Sequence, residues 1–408
     1  MKIFTNLMKR QKRHQLQPQK HIGFENRITV DICLLWDCST EIVLFFAAIL
    51  GGVLAGCSKN EVPETNASST LLSFNAVTTP VTKAVLNKEI PVEYNQDENF
   101  TVYAYKHPAA YVNGTTSSPA DYFTAKEFQY VTGSPGSWKG KGQAYYWPKD
   151  DSFLSFMAYS PSDANANAAS IANTLSGGFV ITDYQIPAFG SQYDLMVSER
   201  SLDWKLGSAA EGLNKEDSNL NYYGVDILFH HILSSIQVMG KTYEAYQGVT
   251  VTFKNLTISN LLTKGTFTQS LDDDASTWKT LTQSNWGTPT VVLATPYDLL
   301  DTSIAKTNDG SISTLHESSN ALFAIPQVLT DDVIITLEFD ITQDGKTFSY
   351  TDSRKLNTIT RTTATTWTDK TWQPGYRYIY TYIIKLDEIV FDPAVTDFVT
   401  VECDSVTL

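Results

Sequence analysis

The stretch that decides the fold class is residues 333–351, VIITLEFDITQDGKTFSYT. Every second position in its first half is apolar, with mostly polar residues between: Val333, Ile335, Leu337, Phe339 and Ile341. Because successive side chains of a strand point to opposite faces, this period of two predicts a strand with one buried face. Asp344 and Gly345 then supply the positive φ angles of a tight turn into a second strand at residues 347–351. The segment therefore predicts an antiparallel β-hairpin.

The same period of two recurs along the chain. Short alternating segments lie at residues 72–77, 100–105, 128–131, 153–159, 179–184, 249–254 and 376–386. Glycine, proline, asparagine or serine separates them, as expected for turns between short strands. Residues 160–178, rich in alanine, asparagine and serine, are compatible with a short helix or with a long surface loop. With no sustained helical period after Cys57 and no alternation of strands with helices, we predict an all-β protein built from β-sandwich domains.

An export signal is predicted upstream of the first strand. Residues 42–56 are apolar, shorter than the roughly 20 residues of a membrane-spanning helix, and typical of a secretory signal. The run ends in Leu54-Ala55-Gly56-Cys57, which resembles a bacterial lipobox and implies lipid attachment at Cys57. The alternative is a buried apolar helix with a chance cysteine at its end. The 41 residues before the run make an unusually long leader.

Without residues 1–56 the chain is long enough for two domains. We predict an N-terminal β-sandwich domain at residues 57–220, beginning with a polar tether at 57–70, and a C-terminal one at 221–408. The junction is placed in the polar, turn-rich residues 207–224.

The composition of the chain argues against several classes of function and of site. The net charge of −14, with a net positive leader, argues against nucleic acid and against electrostatic binding to anionic lipid. Of the four cysteines, Cys33 and Cys38 lie in the leader and Cys57 is the lipid site, which leaves Cys403 without a partner. This pattern excludes a disulfide framework and a cysteine zinc cluster in the mature chain. Aromatic residues at 12% and charged residues at 18% favour a secreted β-protein.

Motifs for catalysis are missing from the sequence, so we predict a protein that is not an enzyme and needs no cofactor. His230 and His231 are adjacent, and neighbours on a strand point to opposite faces, so a shared metal ion is not expected. Asp272-Asp273-Asp274 is read as a solvated loop rather than a calcium site, since no further oxygen ligands are implied nearby. Trp138 and Trp147 could stack on sugar rings, or could equally serve as core residues.

Several separated motifs together resemble the fimbrillin family of Bacteroidetes type V pili. They are the lipobox at Cys57, Phe74 with Val81-Thr82-Lys83-Ala84, Tyr145-Tyr146-Trp147-Pro148 before residues 153–159, Tyr193-Asp194-Leu195-Met196, residues 228–234, Trp372-Gln373-Pro374-Gly375-Tyr376-Arg377-Tyr378, Ile389-Val390-Phe391 and Val395-Thr396-Asp397-Phe398. No single motif is specific to the family, and the resemblance rests on the order of the motifs along the chain. The resemblance implies two transthyretin-like β-sandwich domains, export as a lipoprotein, and location on the outer membrane and in surface fimbriae.

The resemblance also implies an assembly mechanism. A trypsin-like protease would cut after Lys83, where the family more commonly has arginine, and the first strand would leave. Its inward-facing residues would be Leu72, Phe74 and Ala76. A neighbouring subunit would fill the groove by β-strand addition. The donor would be the tail 399–408, through its apolar residues Val399, Val401, Cys403, Val406 and Leu408; equally, this tail could be the last strand of its own domain.

The sequence thus predicts a structural subunit or adhesin of surface fimbriae, with other fimbrial subunits as partners and a surface glycan or protein as receptor. The alternative is a monomeric outer-membrane lipoprotein that binds glycans through exposed aromatic residues such as Trp138 and Trp147.

Overall fold

A computed structural model describes twelve segments of the chain: residues 71–78, 92–112, 119–133, 136–205, 224–242, 248–271, 281–300, 304–307, 313–315, 322–358, 370–385 and 389–397. All of them belong to one compact unit, Glu64–Leu408.

Strands dominate these segments. The first eleven are β1 (Phe74–Thr78), β2 (Val92–Glu93), β3 (Phe100–His107), β4 (Ala120–Val131), β5 (Ser137–Gly140), β6 (Phe153–Ser160), β7 (Ser170–Thr174), β8 (Gly178–Gln185), β9 (Met196–Ser198), β10 (Ser201–Trp204) and β11 (Val225–His231). The next twelve are β12 (Ser234–Thr242), β13 (Val249–Ser259), β14 (Leu262–Thr268), β15 (Thr290–Val292), β16 (Tyr297–Asp298), β17 (Ile304–Thr307), β18 (Ser313–Thr314), β19 (Leu322–Ala324), β20 (Ile334–Gln343), β21 (Lys346–Lys355), β22 (Tyr376–Ile384) and β23 (Ile389–Asp397).

Helical structure in the twelve segments is limited to four 3₁₀ turns, at Ala164–Asn167, Phe189–Ser191, Gln283–Asn285 and Leu356–Thr358. None of these turns approaches the length and apolarity that a membrane-spanning helix requires. The predicted all-β class is confirmed.

The N-terminal strands form a sheet that closes on itself. Its pairing order runs β6, β3, β4, β5, β1, β11, β9, and β9 pairs again with β6 through Tyr159↔Val197 and Ser160↔Met196. β2 also pairs with β1, and β10 also pairs with β6. The ring encloses a core of buried side chains that comes from all seven strands, including Phe74, Phe100, Phe128 and Phe156. Closure removes free edges from these strands.

A second sheet, in the order β15, β14, β8, β7, encloses another core with the outer face of β3 and β6. Tyr103, Tyr105, Met157 and Tyr159 point into this core from the ring. Residues 160–178 contain a 3₁₀ turn and also strand β7, which the sequence did not predict. β7 forms because β8 supplies its backbone hydrogen bonds along five residue pairs.

Two further sheets form a sandwich in the C-terminal part. One has the order β18, β12, β22, β23, and the other β16, β13, β20, β21. The predicted hairpin is confirmed, with Gln343 opposite Lys346 and positive φ angles of 50° and 71° at Asp344 and Gly345. The alternating segment predicted at residues 376–386 forms β22, in which Tyr378, Tyr380 and Tyr382 are buried in this core and Tyr376 is exposed.

The predicted boundary at residue 220 lies in the undescribed residues 206–223 and stays a prediction. Three pairings between described strands cross that point: β11 pairs with β1 and with β9, and β14 pairs with β8.

Candidate functional site

The candidate site is the groove that holds β1, which we call the β1 cradle. We define the cradle by β2, β5 and β11, which pair with β1, and by the core residues beneath it, Phe100, Phe128 and Phe156. β1 runs parallel to β11 in five successive pairs, from Phe74↔Val225 to Thr78↔Phe229. On its other flank it pairs antiparallel with β5 at Phe74 and with β2 at its last two residues. β1 is therefore an inserted strand with partners on both sides.

Backbone hydrogen bonds hold β1 and the residues leading into it. The amide of Leu72 donates to the Tyr145 carbonyl at 2.8 Å, and that of Val225 donates to the Ser73 carbonyl at 2.9 Å. The amide of Tyr94 donates to the Ala76 carbonyl at 3.2 Å. Because any extended chain offers the same backbone groups, these bonds do not depend on the identity of the strand.

Side chains of β1 and its lead-in fill the apolar floor of the cradle. Leu72, Phe74 and Ala76, the three residues predicted to face inward, are each 0% exposed. The Phe74 ring meets Phe128 at 4.7 Å and Phe156 at 5.0 Å between centroids, both edge to face, which is the favoured geometry for aromatic pairs. This aromatic contact is the largest side-chain anchor of the strand.

Where the cradle begins, the backbone at Gly224 lies very close to the backbone of Ser73. Gly224, just before β11, has φ +140°, and a Cβ atom there would lie 2.7 Å from the carbonyl oxygen of Ser73. Only glycine combines that backbone conformation with that distance. Residue 224 thus lets β11 come alongside the chain that enters β1.

On its other face β1 carries a polar contact. The side-chain amide of Asn75 donates to Oδ1 of Asp226 at 3.0 Å, and the two residues are direct partners in the strand register. Asp226 is 4% exposed, so this carboxylate lies inside the protein. A buried carboxylate requires hydrogen-bond donors, and β1 provides one of them.

Ionisable groups also lie beside the cradle. The Tyr94 hydroxyl lies 2.5 Å from Ser160 Oγ and 3.3 Å from Glu98 Oε2. Burial raises the pKa of Glu98, with further upward contributions from the charges of Asp194 and Asp163. Burial also raises the pKa of Tyr94 well above its ordinary value. Both groups therefore favour their neutral forms more than they would in water.

Trp138 and Trp147, the predicted sugar-stacking residues, lie in the ring core at 2% and 6% exposure. Trp138 packs against Tyr94 and Tyr130 at 5.7 and 4.8 Å between centroids. Neither indole presents a face to solvent, so this arrangement gives glycan stacking no support.

His230 and His231, the adjacent histidines that were not expected to share a metal ion, contact different carboxylates. His230 Nε2 lies 2.8 Å from Glu199 Oε1, whereas His231 Nδ1 contacts Asp194 Oδ2. Among the described residues, no cluster of three or more His, Cys, Asp and Glu side chains is arranged to hold a metal ion.

The remaining predicted sites lie outside the described residues. These are Cys57, Lys83, the aspartates at 272–274, and the tail with Val399, Val401, Cys403, Val406 and Leu408. Sequence reasoning missed Asp226, which precedes Ile227 in an otherwise apolar stretch. An isolated acid inside a predicted strand was the signal that could have drawn attention to it.

A family model described as fimbrillin-like matches residues 82–397. No curated protein sequence matches the chain.

Similar solved structures include a fimbrial protein from Bacteroides vulgatus, with 15% identity and TM-score 0.49, covering 81% of this chain and 99% of that one. The tip fimbrial protein Mfa3 from Porphyromonas gingivalis has 9% identity and TM-score 0.33, covering 80% and 99%. A fimbrial assembly protein from Parabacteroides distasonis has 12% identity and TM-score 0.31, covering 80% and 97%.

Proposed function

This chain belongs to the fimbrillin-like family, and we propose that it is a fimbrial subunit or adhesin assembled by protease-triggered β-strand exchange after export as a lipoprotein. In this proposal Cys57 carries the lipid, Lys83 is the cleavage site, and residues 399–408 are the strand given to a neighbouring subunit.

The position of β1 in the sheet is the main support for this proposal. This strand is inserted between β5 and β11 in a closed ring, and its loss would leave two unpaired strand edges beside an empty apolar groove. Unpaired edges accept a further strand, whose backbone completes the hydrogen bonds while alternate side chains enter the pockets. Lys83 follows the end of β1 by five residues in the sequence, so cleavage there would cut β1 from the rest of the chain.

Lys83→Ala and a deletion of residues 399–408 test the mechanism. We expect the first variant to keep its N-terminal strand after protease treatment and to form no polymers. We expect the second to be cleaved but to donate no strand. Lys88→Ala is a matched control, since it removes a nearby lysine and leaves Lys83 in place. Unchanged polymer ladders on a gel in both test variants would overturn the mechanism.

Mass and N-terminal analysis of protein from the native envelope tests the processing steps. A new N-terminus at Ala84 in assembled subunits is expected, together with a lipidated Cys57 in uncleaved molecules. An assembled subunit that still carries residues 57–83 would show that cleavage is not required.

A further inference from the structure

We infer that Asp226 is a selector at the β1 cradle: it requires a hydrogen-bond donor side chain at the opposing position of any strand that occupies the cradle. This inference rests on the proposed strand exchange and adds a chemical requirement for the partner strand.

The contact between Asn75 and Asp226 joins a hydrogen-bond donor to an acceptor. An ionised carboxylate only accepts hydrogen bonds, whereas the amide of Asn75 can donate. The 3.0 Å contact between Asn75 Nδ2 and Asp226 Oδ1 is therefore a pairing of unlike groups in direct register. An aspartate or glutamate in place of Asn75 would set acceptor against acceptor and like charge against like charge.

The Asp226 side chain is buried. Asp226 is 4% exposed and lies on a small cavity of about 230 Å³ that is also lined by Glu199, Arg200, Ser201 and Trp204. At this exposure the carboxylate depends largely on donors from the protein, and the loss of the Asn75 donor costs more than it would at an exposed strand pair. The identity of the opposing residue consequently affects binding more than it would at an exposed strand pair.

Asp226 also occupies one defined position along the cradle. Backbone bonds and apolar pockets accept many alternating sequences, and a shift of two residues keeps the apolar face inward. Asp226 distinguishes between such shifts because it marks one position on the polar face. In the proposed donor tail, Val399, Val401 and Cys403 alternate with the polar residues Thr400, Glu402 and Asp404. Among these three, only Thr400 has a side chain that can donate a hydrogen bond to Asp226.

A nicked full-length chain provides the test. A tobacco etch virus protease site is placed within residues 79–91, so that cleavage leaves β1 bound but not covalently tethered. The probes are fluorescein-labelled peptides that copy residues 71–79, one with Asn75 and one with Asn75→Asp. Incorporation in mild urea is measured as fluorescence that co-elutes with the protein on size exclusion. The same probes are applied to an Asp226→Asn chain.

We expect the Asn75 peptide to enter the unsubstituted chain at least about tenfold more than the Asn75→Asp peptide, which corresponds to about 1.4 kcal/mol. In the Asp226→Asn chain the preference should disappear or reverse, because an amide at 226 can donate to a carboxylate. Equal entry of both peptides into the unsubstituted chain would overturn the selector and leave strand exchange intact. If neither peptide enters either chain, strand exchange itself fails and the selector fails with it.

A second measurement uses the uncut chain. Asn75→Asp should lower the thermal midpoint, and the double variant Asn75→Asp with Asp226→Asn should recover most of the loss, because the unlike pair is restored with its members exchanged. Failure of the double variant to recover any of the loss would contradict the pairing.

Discussion

Truncation of the anchor residue of β1, Phe74→Ala, should weaken the hold of the cradle on that strand. Phe74 is fully buried and packs against three phenylalanine rings, with centroids 4.7 to 6.3 Å away. Removing a buried phenylalanine costs about 3–5 kcal/mol. We expect about 4 kcal/mol here, because surrounding aromatic rings on different strands of a closed sheet cannot easily collapse into the space.

The loss should appear first as release of β1 rather than as global unfolding. A change of about 4 kcal/mol in the local equilibrium raises the population without β1 by up to roughly a thousandfold. Where opening is fast relative to cutting, proteolysis follows the population of the open form. Proteinase K should therefore cut within β1 of Phe74→Ala much faster than within β1 of the unsubstituted chain, because a cut inside β1 requires the strand to leave the cradle. The cuts are followed by mass spectrometry, and the urea midpoint of the variant should also be lower.

Phe348→Ala is the matched control, since Phe348 is a phenylalanine on strand β21 with 53% exposure. It should change the urea midpoint and the cleavage rate little. If Phe74→Ala stayed within about 1 kcal/mol of the unsubstituted chain and released β1 no faster, the reasoning that side-chain packing retains β1 would be refuted.

Three further outcomes are expected. Gly224→Ala should lower the thermal midpoint more than Gly142→Ala, because both glycines have positive φ but only the first would place its Cβ 2.7 Å from a backbone oxygen. Because burial raises the pKa of Glu98, the folded state holds that proton more tightly than the unfolded state, so stability from this group falls as pH rises through the folded pKa. The stability of the unsubstituted chain relative to Glu98→Gln, from urea titrations, should thus be greater near pH 4 than near pH 8. Tyr380→Phe should cost about 1–3 kcal/mol in urea denaturation, since it removes the buried hydroxyl that accepts from Trp372 Nε1 at 3.0 Å.

The regular features of the fold were predictable because they are local. Alternation over a few residues identified β20 and the inward face of β1. The Asp344-Gly345 pair identified the turn that follows β20. These signals arise from side-chain period and backbone sterics, which a short window of sequence contains.

Other features depend on distant partners and were not predictable in this way. β7 has a composition typical of loops and becomes a strand through its pairing with β8. The parallel pairing of β1 with β11 joins residues about 150 positions apart, as the Asn75–Asp226 contact shows. The sequence left two interpretations of Trp138 open, because aromatic residues occur both in hydrophobic cores and in sugar-binding sites. Trp138 is buried because it pairs with Phe74 in the sheet, far from it in the sequence.

The same long-range arrangement explains why the proposed exchange would need cleavage. Phe74 fills an aromatic pocket, whereas Val399, Val401 and Cys403 of the proposed donor are smaller and would leave part of that pocket empty, at a cost in packing. A tethered β1 also competes as an intramolecular strand, at an effective concentration in the millimolar range for a short linker. A donor tail would therefore lose to β1 in the intact chain. Cleavage would remove the advantage of the tether, since a released strand is diluted into solution while a subunit held at the assembly site is not.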